Sequence, residues 1–259
     1  MIDIHSHIIP NIDDGSQDLQ RSLKQLQQME LGGVEEVYLT SHFFRGHYHY
    51  SRADYDAKML ALVEAAKDAG IGLKLHSGFE IFIHPGILDD IRKNNLVLKD
   101  GPYILIESEL NGLPTDFYSN VYPLLRNGYK PILAHAERYV SIMKKPSQAR
   151  DLNDKNIHIQ TNAGSLLGLY GEKVRQTAWV LIENGWTHFL ASDDHVRSDY
   201  SAMFEAYRLI CERIDERTAD LLCNKFPAAI GTGDKVPYSY VHVHHPRKHH
   251  RKWYRRLFG

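Results

Sequence analysis

"MIDIHSHIIP" (residues 1–10) places two histidines, His5 and His7, one residue apart at the start of the chain. Ile2, Ile4, Ile8 and Ile9 flank them, and the alternation of apolar and polar residues reads as a strand. Residues two apart on a strand point to the same side, so both imidazoles can grip one object. A surface histidine pair would give the same short pattern. The rest of the chain decides between the two readings.

Six more short apolar runs follow: "EVYLTSH" (36–42), "GLKLHSGFE" (72–80), "YILIES" (103–108), "KPILAH" (130–135), "NIHIQTN" (156–162) and "THFLASDDH" (187–195). Helical spacing fills most intervals, as in Leu19, Leu23, Leu26 and Met29, then Met59, Leu60, Val63 and Ala66, and later Val174, Ala178, Leu181 and Ile182. Gly32, Gly33, Gly70, Gly128 and Gly185 follow helical stretches, where a left-handed cap is wanted. Seven strands alternating with helices imply a parallel sheet, and 259 residues suit one α/β barrel. No glycine-rich phosphate loop follows any run, which disfavours nucleotide-binding folds.

Metal-competent residues cluster at the ends of these runs. His5 and His7 end the first, His42 the second, Glu80 the third, Glu107 the fourth, His135 the fifth, and Asp193 with His195 the seventh. A parallel barrel builds its active site on that C-terminal face. One histidine at a strand end is usually a hydrogen-bonded core residue; six strands in agreement predict a multinuclear metal site. Imidazole and carboxylate suit zinc, manganese or iron. So many ligands point to two or three ions, with Glu80 or Asp193 as a bridge. Such ions lower the pKa of bound water and clamp a tetrahedral transition state. "NIDDG" (11–15) adds Asp13 and Asp14. An Asp pair before Gly is usually a turn or cap, but its place after the first strand makes Asp14 a ligand candidate. Arg138 in "HAERY" and Arg197 in "DDHVR" follow ligands closely and match phosphate geometry. Arg45 and His47 are weaker rim candidates. Phe43, Phe44, Tyr48 and Tyr50 form an aromatic wall or simply cover the mouth.

Composition sets the outer limits. Hydrophobic residues make up 43%, enough for a sizeable core, and sixteen histidines fit metal chemistry. No apolar run approaches the ~20 residues of a membrane span. The start lacks a basic n-region, and only Cys211 and Cys223 occur, so a cytoplasmic protein without disulfides is expected. Residues 242–259 carry six of the 31 Lys+Arg and none of the 32 Asp+Glu, leaving an acidic body of 25 basic and 32 acidic residues. The chain therefore divides into a barrel, 1–241, and a basic, histidine-rich tail, 242–259. The tail suggests peripheral contact with an anionic membrane face; nucleic acid is not an expected partner.

"DIHSH", "TSH", "GFE", "AHAERY" and "ASDDH", in this order, resemble the polymerase and histidinol phosphatase (PHP) superfamily. More narrowly they resemble the bacterial protein-tyrosine phosphatases of capsule and exopolysaccharide operons, over roughly residues 1–230. The resemblance implies a distorted (β/α)7 barrel with three divalent ions, usually manganese, with iron, cobalt or zinc as alternatives. By motif, it implies that His5, His7, Glu80 and Asp193 hold one ion, Glu80, Glu107 and His135 the second, and Asp14, His42 and His195 the third. Arg138 would hold the substrate phosphate with Arg197 in support, although the step from His195 to Arg197 is shorter than the family pattern. The basic tail is not part of that pattern.

The expected reaction is hydrolysis of phosphotyrosine by a metal-bound hydroxide. The expected substrate is a phosphotyrosine protein, a membrane-bound tyrosine kinase controlling capsule synthesis. The alternatives are a small-molecule phosphatase acting on histidinol phosphate or a similar ester, and a non-catalytic metal-binding domain. An amidohydrolase also starts with His-x-His, but typically carries a carboxylated Lys where "YILIES" offers Glu107. "CERIDER" (211–217) satisfies Cys-x5-Arg, the bare pattern of thiol-dependent phosphatases. Glu212, Asp215 and Glu216 would repel phosphate there, no glycine is present, and a helix has already spent the backbone donors. Cys211 is therefore not expected to be the nucleophile.

Overall fold

A computed structural model describes residues 1–240. The seven runs form seven strands: β1 (Ile2–Ser6), β2 (Glu36–Phe43), β3 (Lys74–Phe82), β4 (Tyr103–Glu107), β5 (Lys130–Leu133), β6 (His158–Asn162) and β7 (Phe189–Ala191). They pair in sequence order, and every pair is parallel. The ends of the series meet at the mouth. His7 N–H donates to Asp194 O at 2.8 Å and Asp193 N–H to His5 O at 2.9 Å, beside a parallel bridge between Ser6 and Asp194. The β1–β2 register shifts between Asp3 and Ser6, just where the histidine pair begins.

The principal crossover helices are α1 (Leu19–Leu31), α2 (Arg52–Asp68), α3 (Ile87–Asn94) and α4 (Phe117–Arg126). Two short helices, α5 (Val140–Lys144) and α6 (Gln148–Asn153), precede β6, and α7 (Ala163–Leu167) and α8 (Glu172–Glu183) precede β7. α9 (Ala202–Arg213), α10 (Glu216–Asp220) and α11 (Phe226–Thr232) close the order. Asp18 caps α1 by accepting from Arg21 N–H, and Ser51 with Asp54 forms a capping box on α2. Gly33, Gly70, Gly128 and Gly185 take positive φ after their helices, as the caps require. Gly32, at φ −78°, does not.

Val37 and Leu39 of β2 pack in one cluster with Leu26 and Met29 of α1 and Leu62 and Ala66 of α2. Strand alternation then gives Tyr38, Thr40 and His42 the opposite face. Burial corrects the helix faces read from spacing. Leu19, Leu60 and Val63 are exposed, while Ser22, Gln25 and Tyr55 are buried. Val174, Ala178, Leu181 and Ile182 are all buried as expected. Cys211 lies within α9.

Residues 234–240 cross beneath the strand starts. Tyr103 Oη–H donates to Asp234 O, Val236 N–H donates to Tyr103 Oη, and His158 Nε2 lies 3.1 Å from Val236 O. Tyr240 Oη–H donates to Thr187 O. The basic segment 242–259 and the boundary set at 241 lie outside the described residues.

Candidate metal centre

Six of the seven strand ends deliver their residues to one spot. His5 Nε2 and His7 Nε2 are 3.2 Å apart. Glu80 Oε2 is 3.2 Å from the first and 3.3 Å from the second, and Asp193 Oδ1 is 3.3 and 3.7 Å away. His135 Nε2 lies 2.8 Å from Glu80 Oε1 and 3.2 Å from Glu107 Oε2. Asp14 Oδ1 is 3.4 Å from His42 Nε2 and 3.3 Å from His195 Nε2. Three groups can therefore hold a metal ion, each offering atoms within 4.8 Å of one another: His5, His7, Glu80 and Asp193; His7, Asp14, His42 and His195; and His42, Glu80 and Glu107. These groups overlap the motif-based sets: His7 also lies within reach of the Asp14 group and His42 within reach of Glu80 and Glu107, while His135 meets the second set through Glu80 and Glu107 rather than as a member of a group.

The imidazoles are set in the tautomer a metal needs. His7 Nδ1 faces Asp13 Oδ2 at 2.8 Å, His5 Nδ1 faces Gln160 Oε1 at 3.2 Å, and His195 Nδ1 faces Asp193 O at 3.0 Å. Each of these oxygens accepts, so Nδ1 carries the proton and the Nε2 lone pair points inward. The buried Nδ1 of His42 makes no hydrogen bond, although Glu80 Oε2 is 3.1 Å away. Donor type, convergence and tautomer all fit divalent cations.

Electrostatics agrees. Burial works against a charged His135, but its hydrogen bonds to Glu107 and Glu80 push its pKa up to about 10. His7 rises well above its usual range despite burial, because Asp13 and Glu80 face it. Burial opposes ionisation of Glu80 and Asp193, yet neighbouring imidazoles hold Glu80 well below the carboxylate range and Asp193 at about 2. Glu107 is raised, first by burial and then by the Glu80 charge. Hydrogen bonds from His195 and His42 hold Asp14 far below its ordinary value. Such opposed shifts in one cleft are typical of a functional site.

The backbone is bent to make this possible. His135 (φ 34°) and Asp193 (φ 54°) occupy left-handed conformations that non-glycine residues rarely take. Gly15 lies so close to His7 that an added Cβ would sit 2.0 Å from His7 O. Only glycine lets the "NIDDG" loop fold back and bring Asp13 and Asp14 over the site.

Arg138 Nη1 is 3.0 Å from Asp193 Oδ2, and its guanidinium lies 4.7 Å from the Tyr170 ring centre. Arg197, largely exposed, pairs with Asp14 at 2.8 Å. Arg45 turns away to Asp90 at 3.8 Å. Phe82, Phe44, His47, Tyr48 and His42 form a continuous run of ring contacts, from Phe44 on Phe82 at 4.0 Å to Tyr48 stacked on His42 at 5.3 Å.

Sequence reading missed the supporting residues. Asp13 accepts from His7 and from His42 N–H. On β6, the one run without a ligand, Gln160 accepts from His135 N–H, and Asn162 Nδ2–H donates to Asp193 Oδ2 at 2.7 Å. The signal was the polar alternation His158, Gln160, Asn162 on one face of an otherwise buried strand.

A parallel barrel with such clusters at the C-terminal ends of its strands defines a metal-dependent hydrolase type of protein. The chain belongs to the CpsB/CapC family of capsular polysaccharide synthesis, whose model matches residues 1–230. Among its relatives, the tyrosine-protein phosphatase YwqE of Bacillus subtilis is 33% identical over 196 residues, 75% of this chain and 77% of that protein. The tyrosine-protein phosphatase CpsB of Streptococcus pneumoniae is 29% identical over 226 residues, 85% and 93% of the two chains. A crystal structure from the work on YwqE and CpsB, described as unique metal-dependent tyrosine phosphatases, superposes with a TM-score of 0.86 at 29% identity, covering 91% of this chain and 96% of that one. Histidinol phosphate phosphatase of Lactococcus lactis, at 15% identity and a TM-score of 0.55 over 85% and 95% of the chains, shares the fold.

Proposed function

We propose that this protein is a metal-dependent protein-tyrosine phosphatase. The observation that carries the reading is the convergence of inward-facing imidazole lone pairs and carboxylates from six strands at one mouth. The family and its named phosphatases support it. His5, His7, Glu80 and Asp193 would hold one divalent ion, Glu80, Glu107 and His135 a second, and Asp14, His42 and His195 a third. This oxygen-and-nitrogen donor set accepts manganese, iron, cobalt or zinc, and manganese is the ion we propose. Bound there, such ions supply a water of lowered pKa and neutralise phosphate oxygens.

The chain's own groups do the rest. Arg138 presents a partly exposed guanidinium, held on one side by Asp193 and stacked on Tyr170, so its free N–H groups can bind two phosphate oxygens. Arg197 supports from the rim beside Asp14. Tyr48 and Phe44 flank the mouth and would take the phenyl ring of the substrate by stacking. A phenolate leaves with a pKa near ~10, so its departure needs little help from an acid.

Incubation with a phosphotyrosine peptide and with histidinol phosphate, before and after chelation, tests the reading. Metal-restored release of phosphate from the peptide is expected. Preference for histidinol phosphate, or turnover that survives chelation, would overturn it. The proposed physiological substrate, a membrane-bound tyrosine kinase of the capsule pathway, is tested by loss of its phosphotyrosine on mixing.

A further inference from the structure

Beside the ligand cluster lies a cleft of about 700 Å³. Asp193 and His195 line its inner end. From there it runs between the α7–α8 turn, with Leu167, Leu169 and Tyr170, and the first turn of α9, with Ala202 and Glu205. Leu169 is 68% exposed, Tyr170 39%, and Phe204 of the same α9 turn 55%. Exposed large apolar side chains grouped beside a polar site mark an interaction surface rather than ordinary solvent-facing residues.

The wall is well built. Gly168 (φ 87°) and Gly171 (φ 94°) bracket Leu169 and Tyr170. A Cβ on Gly164 would lie 3.0 Å from Leu169 and 3.3 Å from Tyr170, so the turn is packed down on α7. Tyr170 also carries Arg138 on its ring, so the cleft begins where the phosphate would be held. Its charges are mostly spoken for: Asp199 faces Lys24 and Gln28, and Arg197 pairs with Asp14. Glu205 has no ion-pair partner among the described residues, and Arg208, three residues on, pairs with Glu212 instead. An incoming chain therefore meets an apolar wall, the Glu205 carboxylate and, among the lining residues, Asp194, whose buried Oδ2 accepts no hydrogen bond from the described residues.

We propose that this cleft is the subsite for the polypeptide flanking the phosphotyrosine. It seats an apolar side chain against Leu169 and Tyr170 and a Lys or Arg beside Glu205. The proposal rests on the phosphatase reading and specifies its substrate. A small aryl phosphate would reach only the metal cluster and the aromatic wall, whereas a peptide would use the cleft as well.

The test compares kcat/KM for phenyl phosphate, a phosphotyrosine peptide flanked by Leu and Lys, and the same peptide with Glu for Lys. The wild-type protein should prefer the Lys peptide. Glu205→Lys should reverse that preference, each change being about fivefold, the scale of an exposed ion pair. Leu169→Ala should lower the ratio of peptide to phenyl phosphate turnover by roughly fivefold, as expected for partial loss of apolar burial. An unchanged peptide preference in Glu205→Lys, with Leu169→Ala slowing all three substrates equally, would overturn the subsite. If the wild-type protein hydrolyses none of the three, the phosphatase reading fails and the subsite with it.

Discussion

Asp13→Ala should cost metal affinity although Asp13 is in none of the metal-competent clusters. Its carboxylate is fully buried and accepts three times: from His7 Nδ1 at 2.8 Å, from His42 N–H at 2.9 Å and from Gly15 N–H at 3.0 Å. Burial works against its charge, yet His7 holds its pKa below the usual carboxylate range. Removing it frees the His7 imidazole to turn and leaves two backbone donors short of partners. The loop cannot close up around the gap, because Gly15 already touches His7. Loss of a partner behind a metal-bound histidine typically lowers affinity by about 10–100-fold, or about 1.4–2.7 kcal/mol. Each unsatisfied buried donor adds about 1–3 kcal/mol of instability. Competition with a coloured chelator would measure affinity, elemental analysis would give stoichiometry, and circular dichroism would check the fold. Asp13→Asn, keeping one acceptor oxygen, should fall between. A folded Asp13→Ala protein that binds every equivalent as tightly as wild type would refute the reasoning.

Four other outcomes are expected. Arg138→Ala should raise KM for phosphopeptides by tenfold or more, on the order of a charge-assisted hydrogen bond, with metal content retained; metal loss with unchanged KM would make the residue structural. Cys211→Ser should leave kcat within about twofold, and alkylation should not inactivate, because burial raises this helical thiol's pKa and no anion-binding loop surrounds it; a phosphocysteine adduct would contradict this. Burial pulls the pKa of His158 down to about 4 and that of His188 to about 3, so both are neutral when folded but protonate near pH 6.5 when unfolded. Stability is thus full above pH 6.5 and falls toward pH 3–4 by about 1.4 kcal/mol per pH unit for each group; urea midpoints should drop less steeply with acid in His158→Phe, and identical slopes would exclude the pair. Deleting residues 242–259 should leave hydrolysis of a small aryl phosphate intact, since Tyr240 is bonded at the strand starts, opposite the metal cluster, while salt-sensitive binding to anionic vesicles weakens; equal binding by the truncated chain would remove the attachment role.

The division between what was legible in the sequence and what was not has a physical cause. Strand period and strand-end chemistry are local properties. Seven runs account for the seven strands, and their terminal His, Glu and Asp residues, with Asp14 of the loop after the first, are the residues that the structure gathers at one mouth. Helix faces were less legible. On α2, Leu60 and Val63 keep helical spacing yet face solvent, because Tyr55 packs under β2 and bonds Leu39 O at 2.7 Å, which rotates the buried face. Least legible were residues whose value lies in a partner distant in sequence. Gln160 matters because His135 and His5 reach it, Asn162 because Asp193 does, and Asp13 because a glycine lets its loop double back on His7. A strand without a ligand looked functionally empty in sequence. In the fold it is the scaffold that aims its neighbours' ligands, and a buried polar residue on such a strand is the place to look for the next determinant of metal geometry.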